Sequence, residues 1–319
     1  MENKSMGLIE NISTSRWYFG EQGKNCEVFR WLCPEIKTKQ LVIYVPGLPG
    51  DTLSVFDKFA WGWVRKNEGN NGKEIWGVLH SGINIQGMVD KKVDVTADDW
   101  IEDVKVAILK ANRENHPLTI IAHSFGGLFA FHALADLVKE RRLASIRPIG
   151  SKPIKLITVS TPFYDLSSLP DKQPLLGMDT DLPYTFYKDL ESRDKMAEND
   201  DRIPMASKYA FEHIREYLNK SGLINVSNDE ELFNSKLLKL FDLDEDAAIL
   251  GKTDIIIINL FLRQDRWVSK KAGENLQRLI GRPILNEFCD IPVASNKSMV
   301  GVNAHDLVDQ WVPMALKYI

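Results

Sequence analysis

Short runs of apolar residues recur along this chain, and stretches with helical periodicity separate most of them. The runs with the strongest β-strand character are "QLVIYV" (40–45), "EIWGVLH" (74–80), "PLTIIA" (117–122), "IKLITVS" (154–160) and "TDIIIINLFL" (253–262). A strand that is apolar at consecutive positions is buried on both faces, which is typical of parallel sheets covered by helices. The pattern therefore predicts an α/β fold with a mostly parallel central β-sheet and helices on both faces.

The alternation extends toward both ends of the chain. Residues near 15–20 and 25–33 have the composition of a strand pair, and "EFCDIPVA" (287–294) predicts a last strand. Segments with helical patterns are "SVFDKFAWGWVRKN" (54–67), "DDWIEDVKVAILKANREN" (98–115), the run from Phe125, "KKAGENLQRLIGR" (270–282) and "AHDLVDQWVPMALKY" (304–318). These helices are expected to cover the sheet.

Residues 164–250 interrupt the alternation, because they contain no convincing buried strand. They include helix-like pieces, "ASKYAFEHIREYLNK" (206–220) and "DEELFNSKLLKLF" (229–241), and carry 19 Asp and Glu against 10 Lys and Arg. Their charge is therefore −9, and the rest of the chain is +5, since the total is −4. We interpret 164–250 as a helical cap or lid inserted between two parts of one core, 1–163 and 251–319. A separate helical subdomain with no role in the site is the alternative.

Composition restricts the class of protein. A net charge of −4 and a pI near 5.9 give no case for nucleic-acid binding. Three cysteines, an odd number, argue against a disulfide framework. The N-terminus has no apolar run of signal-peptide length, and the run 255–262 is far shorter than the roughly 20 residues that span a bilayer. We expect a cytoplasmic protein without a membrane span.

No nucleotide or metal motif is present in the sequence. It lacks G-x-G-x-x-G, a Walker loop, H-E-x-x-H and C-x-x-C. We therefore expect no cofactor and no metal.

One strand-to-helix junction is unusually abrupt. In "LTIIAHSFGGLFAFHAL" (118–134) an apolar strand stops at Ser124 and a helix-like run follows at once. Ala122, Gly126 and Gly127 are small, as a sharp turn around the serine requires. "AHSFGG" resembles the nucleophile elbow of the α/β-hydrolase family, with Ala122 in place of the first glycine of G-x-S-x-G. An ordinary tight turn is the alternative for this motif alone.

The resemblance implies a triad in the chain order serine, acid, histidine. His305, in "GVNAHDL", follows the last strand and opens the last helix, where the family has its histidine. His80 ends "EIWGVLH" at the same predicted edge and is the alternative base. His123 is expected to pack beside the elbow, and His132 to be a packed core histidine.

The acid of the triad has two candidates. Asp265, in "RQDRWVS", follows the strand "DIIIINLFL" and resembles the acid of the D-x-x-V loop after the family's seventh strand. Asp165, just after "VSTPFY", is the alternative, because some members have the acid after the sixth strand.

The resemblance also implies an oxyanion hole formed by backbone amides. The loop in "LVIYVPGLPGDT" has Pro46-Gly47 where many members have His-Gly. The amides of Leu48 and Phe125 are the expected donors. An ordinary Pro-Gly turn is the alternative.

Together these features predict a serine hydrolase that cleaves an acyl bond of a small molecule, first of all a carboxylic ester, through a Ser-His-Asp triad and an acyl-enzyme. The same site would serve a thioesterase, an acyltransferase or a lyase. A relative of the fold that binds a small ligand without turnover is the alternative from another class.

Overall fold

The computed structural model describes residues 12–19, 24–31, 38–47, 73–82, 96–114, 116–143, 152–163, 224–227, 230–233, 240–262, 265, 268, 270–289 and 308–319. Eight of the described strands form one sheet. The ten strands are β1 (Ile12–Phe19), β2 (Lys24–Trp31), β3 (Gln40–Val45), β4 (Lys73–Leu79), β5 (Leu118–His123), β6 (Lys155–Val159), β7 (Ile224–Ser227), β8 (Glu230–Phe233), β9 (Ile256–Leu262) and β10 (Leu285–Cys289).

The large sheet has the strand order β1-β2-β4-β3-β5-β6-β9-β10. Its last six strands in that order run parallel, while β1 and β2 add an antiparallel pair at one edge. The predicted mostly parallel sheet is confirmed. Because parallel strands end at the same edge, β3, β4, β5, β6 and β9 deliver the residues that follow them to one edge of the sheet. Ligand sites of open α/β sheets lie at this carboxyl edge.

Helices cover both faces of the sheet, as predicted. They are α1 (Ala97–Arg113), α2 (Phe125–Lys139), α3 (Asp244–Leu250), α4 (Lys270–Ile280) and α5 (Val308–Ala315), followed by a 3₁₀ turn at Leu316–Tyr318. Side chains of β3 alternate between two cores, as the two-residue period of a strand requires. Leu41, Ile43 and Val45 pack in the core that contains α1 to α4. Val42 and Tyr44 pack in the core that contains α5.

Two predicted segments differ from the structure. The last described strand, Leu285–Cys289, begins two residues before the predicted start at 287, and its pairing with β9 starts at Leu285 opposite Ile258. The predicted continuation 290–294 lies outside the described residues. Within 229–241, predicted to be helical, Glu230–Phe233 forms an antiparallel hairpin with Ile224–Ser227. Only two residues separate these strands, and "INVS" alternates in polarity, which favours a hairpin over a helix. The predicted helices 54–67 and 206–220 lie outside the described residues.

The end of the acidic segment joins the main core. Leu240, Phe241, Leu243, Ala247 and Leu250 are buried in the cluster that contains α2. Their spacing gives the short helix α3 one apolar face, which packs on α2. Within the described ranges no helix is long and apolar enough to cross a bilayer.

Candidate active site

Ser124 occupies a strained turn between β5 and α2. Its φ is 54° and its ψ is −131°, a conformation that residues other than glycine rarely adopt. The Ser124 amide donates to the Val159 carbonyl over 2.9 Å, and the Gly127 amide donates to the Ser124 carbonyl over 2.9 Å. Such strain persists only where the surroundings enforce it, and it is concentrated at functional sites. The side chain makes no hydrogen bond that caps its own helix.

Three glycines allow the chain to pack tightly around this serine. A Cβ atom on Gly126 would lie 2.3 Å from the Pro46 carbonyl oxygen, and one on Gly127 would lie 1.9 Å from Thr161 Oγ1. A Cβ atom on Gly47 would lie 2.7 Å from the Cβ of Ser124. All three distances are shorter than real Cβ contacts. The loop after β3 therefore lies directly against the elbow.

The predicted oxyanion residues are described in part. Pro46 and Gly47 follow β3 and are buried beside Ser124. Phe125 is the first residue of α2, so its amide belongs to the helix N-terminus, where backbone N–H groups carry partial positive charge. Its ring meets Phe241 edge-on, with centroids 6.0 Å apart. Leu48 lies outside the described residues.

Asp265 lies three residues after β9, at the same edge of the sheet as Ser124. Its amide donates to the Leu262 carbonyl over 3.0 Å. One carboxylate oxygen accepts from the Val268 amide over 3.1 Å. Only β6 separates β5 from β9, so the two strands are about 10 Å apart. That spacing leaves room for a side chain between the serine and the carboxylate.

His305 and Asp165 lie outside the described residues, but the helix after His305 is described. Trp311 of α5 is fully buried and stacks on His123, with centroids 4.9 Å apart and planes 20° apart. The predicted packing of His123 beside the elbow is therefore confirmed. Because His123 adjoins Ser124, this contact anchors α5 near the serine.

His80, the alternative base, is buried and makes a hydrogen bond to the loop after β3. Its Nε2 lies 3.2 Å from the Pro46 carbonyl oxygen, and its ring packs against Phe129 and Trp100. Burial lowers the pKa of His80 from 6.5 to about 4, although the Pro46 hydrogen bond acts in the opposite direction. The ring is therefore neutral at pH 7, and its Nε2 is already engaged in a hydrogen bond with the Pro46 carbonyl. Sequence reasoning missed this contact, because strand order cannot be read from the histidine's own neighbours.

His80 should make the fold acid-sensitive. Between pH 6.5 and about 4 the unfolded chain protonates this histidine and the folded chain does not. Stability therefore falls as pH falls through that window, by about 3 kcal/mol for the full shift. We expect the loss of unfolding free energy between pH 7 and pH 4.5 to be smaller in His80→Phe than in wild type, measured by urea denaturation. Equal losses in the two proteins would contradict this assignment.

His132 joins α2 to the segment 240–250 rather than packing only in the core. Its Nε2 donates to the Leu240 carbonyl over 2.8 Å, and its Nδ1 lies 2.5 Å from Asp246 Oδ2. Burial lowers the pKa of His132, but the hydrogen bonds to Asp246 and Leu240 and the nearby carboxylate charges outweigh it, so the pKa is raised. The segment is thereby anchored to the helix that begins at the elbow. No local signal links two residues 114 positions apart.

A strained serine between a parallel strand and a helix, in a parallel sheet covered on both faces, defines an α/β-hydrolase fold. The chain belongs to the family described as "Putative serine esterase (DUF676)", whose model matches residues 35–199. That match covers just over half of the 319 residues.

Solved structures share the fold at low identity. The 2-hydroxy-6-oxo-6-phenylhexa-2,4-dienoate hydrolase of Rhodococcus sp. strain RHA1 is 12% identical, with a TM-score of 0.56 over 96% of this chain and 97% of that one. A serine hydrolase of Cycloclasticus zankles is 11% identical, with a TM-score of 0.50 over 96% and 95%. At such identities the similarity shows the fold alone. No curated protein matches the sequence.

Proposed function

We propose that this protein is a serine hydrolase that cleaves a carboxylic ester of a small molecule through an acyl-enzyme. The observation that carries the proposal is the backbone of Ser124, with φ at 54° in a turn closed by Gly47, Gly126 and Gly127. A positive φ alone does not mark a nucleophile, because Ser160 also has one, of 47°. At Ser124 it coincides with glycines that let the chain close around the side chain, directly before a helix. Membership of a serine esterase family supports the same reading.

In the proposed mechanism His305 takes the proton of Ser124, and the Ser124 Oγ attacks the ester carbonyl carbon. The amides of Leu48 and Phe125 stabilise the resulting oxyanion. The intermediate collapses, the C–O bond breaks, and His305 returns its proton to the leaving alcohol. Water then repeats the sequence on the acyl-enzyme and releases the acid. Asp265 orients the imidazole and stabilises its charged form.

The position of α5 supports His305 as the base. Trp311 packs on His123 and also lies against Tyr44, with ring centroids 6.5 Å apart. Helix α5, which begins three residues after His305 in the sequence, is thus packed beside the last residues of β3 and β5. His80 is the other histidine predicted for this role, and its hydrogen bond to Pro46 uses the nitrogen that the reaction would need.

The environment of Asp265 supports it as the orienting acid. Its carboxylate is partly buried and accepts a hydrogen bond from Val268 with one oxygen. The backbone bond from its amide to Leu262 holds the residue at the end of β9. A carboxylate fixed in this way can hold an imidazole tautomer. We propose that the part of 164–250 before Leu240 forms a cap over this edge and shapes the substrate pocket, since 240–250 pack in the main core.

The test of the proposed function is a series of p-nitrophenyl esters of graded acyl length on purified protein. We expect turnover, with a rapid first release of p-nitrophenol when hydrolysis of the acyl-enzyme is slow. Binding of an ester analogue without release of product would favour a protein that only binds small ligands. Turnover of thioesters alone would move the proposal to a thioesterase.

The charge of the proposed cap predicts discrimination against polyanionic substrates. Residues 164–250 carry −9, and the part before Leu240, with 15 Asp and Glu against 10 Lys and Arg, carries −5. A negatively charged cap repels the phosphates of acyl-CoA at low ionic strength. We expect a neutral ester to have a higher kcat/KM than a CoA thioester of equal acyl length.

The comparison is made with matched substrates at low and high salt. Added salt should narrow the gap, because it screens the repulsion. A preference for the CoA thioester that declines with salt would indicate an attractive field and contradict the prediction.

A further inference from the structure

We propose that His80 is a positioning residue for the oxyanion loop: its neutral imidazole donates Nε2–H to the Pro46 carbonyl and thereby holds the Pro46–Gly47 peptide against Ser124. The proposal rests on the proposed function, because it assigns His80 a part in that reaction. His80 would touch neither substrate nor the reacting atoms, and would act through the backbone of the loop.

The tautomer follows from the chemistry of the partner. A carbonyl oxygen can only accept, so the Nε2 that lies 3.2 Å from it must carry the hydrogen. The other nitrogen, Nδ1, is buried and has no hydrogen-bond partner among the described residues. A charged ring would need a second acceptor there, and burial has lowered the pKa of His80 to about 4. The ring therefore acts as a permanent neutral donor at pH 7.

The backbone after His80 is fastened to α1. Ser81 donates through its amide to one oxygen of Asp103 over 2.6 Å, and through its hydroxyl to the other over 2.9 Å. The indole of Trp100 donates to the Ser81 carbonyl over 2.9 Å, and the same indole packs against the imidazole. Phe129 of α2 meets the imidazole edge-on at 5.3 Å. These buried contacts hold the backbone at Ser81 and pack the imidazole between two aromatic rings.

The Pro46 carbonyl lies between this imidazole and the elbow. Pro46 follows the last residue of β3, so its carbonyl lies beyond the paired positions of the sheet. On the other side Gly126 approaches the same oxygen closely. A buried carbonyl without a donor costs about 1–3 kcal/mol, so loss of the imidazole would favour a rotated peptide. Since the peptide is planar, rotation would also move Gly47, which abuts Ser124.

The loop matters mainly in the transition state. An amide aimed at a developing oxyanion stabilises the tetrahedral intermediate far more than the ground-state ester. Loss of one such donor costs roughly 10²–10³ in kcat, and misalignment should cost less. We therefore expect loss of the imidazole donor to lower kcat by about 10- to 100-fold, with KM changed by less than about threefold.

The experiment compares His80→Phe, which removes the donor, with His80→Gln, whose side-chain amide can donate from a similar position. His80→Phe should lose kcat, and His80→Gln should recover most of it. The affinity for an alkylboronic acid, which forms a tetrahedral adduct on the serine, should fall in parallel with kcat. If His80→Phe does not fold, His80→Met supplies the apolar comparison.

Ile108→Ala is the matched control for stability. Ile108 is fully buried on α1 and is not in the candidate site, so its truncation lowers the unfolding free energy without removing a polar contact. We expect this variant to keep kcat when assayed well below its melting temperature. If Ile108→Ala lost as much kcat as His80→Phe, lower stability would explain both losses, and the proposal would be overturned.

Two further results would also overturn the proposal: equal losses of kcat in His80→Phe and His80→Gln, or a change confined to KM.

Turnover by the wild type distinguishes a failure of the His80 proposal from a failure of the proposed function. Unchanged kcat in His80→Phe, beside an active wild type, would remove only the role of His80. A wild type that neither turns over esters nor reacts with a fluorophosphonate would remove the proposed function, and with it this proposal.

Discussion

Replacing Ser124 with alanine is expected to lower kcat by about 10⁴- to 10⁶-fold, because the nucleophile of the proposed reaction is lost. The residual rate should come from binding and from the oxyanion hole. Folding should be preserved, since the Ser124 side chain caps no helix in the structure. The measurement is ester turnover at saturating substrate, together with the melting temperature of both proteins.

Ser160 provides a matched control for this substitution. It follows the neighbouring strand β6, is also buried, and also has a positive φ, of 47°. Both positions thus have a buried serine with a positive φ at the end of a strand, but Ser160 has no part in the proposed chemistry. Ser160→Ala should retain kcat within a few-fold. If activity survived Ser124→Ala and disappeared in Ser160→Ala, the nucleophile would be Ser160 after β6, and the assignment of Ser124 would be wrong.

Replacing Asp265 with asparagine is expected to lower kcat by about 10⁴-fold, because the amide favours the wrong imidazole tautomer, by analogy with a serine protease triad. The side chain keeps its size and can still accept the hydrogen bond from Val268, so stability should change little. The measurement is kcat on the substrate used for Ser124→Ala.

Asp165→Asn is the comparison for the second candidate acid. We expect it to cost far less than Asp265→Asn on the same substrate. The reverse ranking would assign the acid to the segment after β6 and leave Asp265 as a residue that shapes its loop.

The central strands could be predicted from the sequence because each is a short apolar run. Such a run needs burial on both faces, and the packed sheet provides it. "QLVIYV" coincides with β3, and "IKLITVS" exceeds β6 by one residue at each end. The boundaries of β10 were less predictable, because its pairing with β9 and not its own composition determines where it begins. The hairpin β7–β8 was missed because acidic and apolar residues in "DEELF" also fit a helix.

In the candidate site, too, some features could be predicted from the sequence and others could not. Ser124 could be predicted, since the turn leaves a local trace in the small residues around it. The contacts of His80 with Pro46, and of His132 with Leu240 and Asp246, could not be predicted. They join residues that are distant in sequence, and each polar group alone is compatible with exposure or with a packed core. The triad residues Asp265 and His305 remain predictions that rest on chain order and on the elements that flank them.

The most direct test of a nucleophilic serine is covalent labelling of the native protein with a fluorophosphonate, followed by tryptic digestion and mass spectrometry. Cleavage after Arg113 and Lys139 gives the peptide 114–139, in which Ser124 is the only serine and Thr119 is the only threonine. We predict one adduct per chain, on Ser124 in that peptide, and its suppression by a competing ester or by prior denaturation. Absence of an adduct on the folded protein, or an adduct at another residue that Ser124→Ala does not abolish, would contradict it.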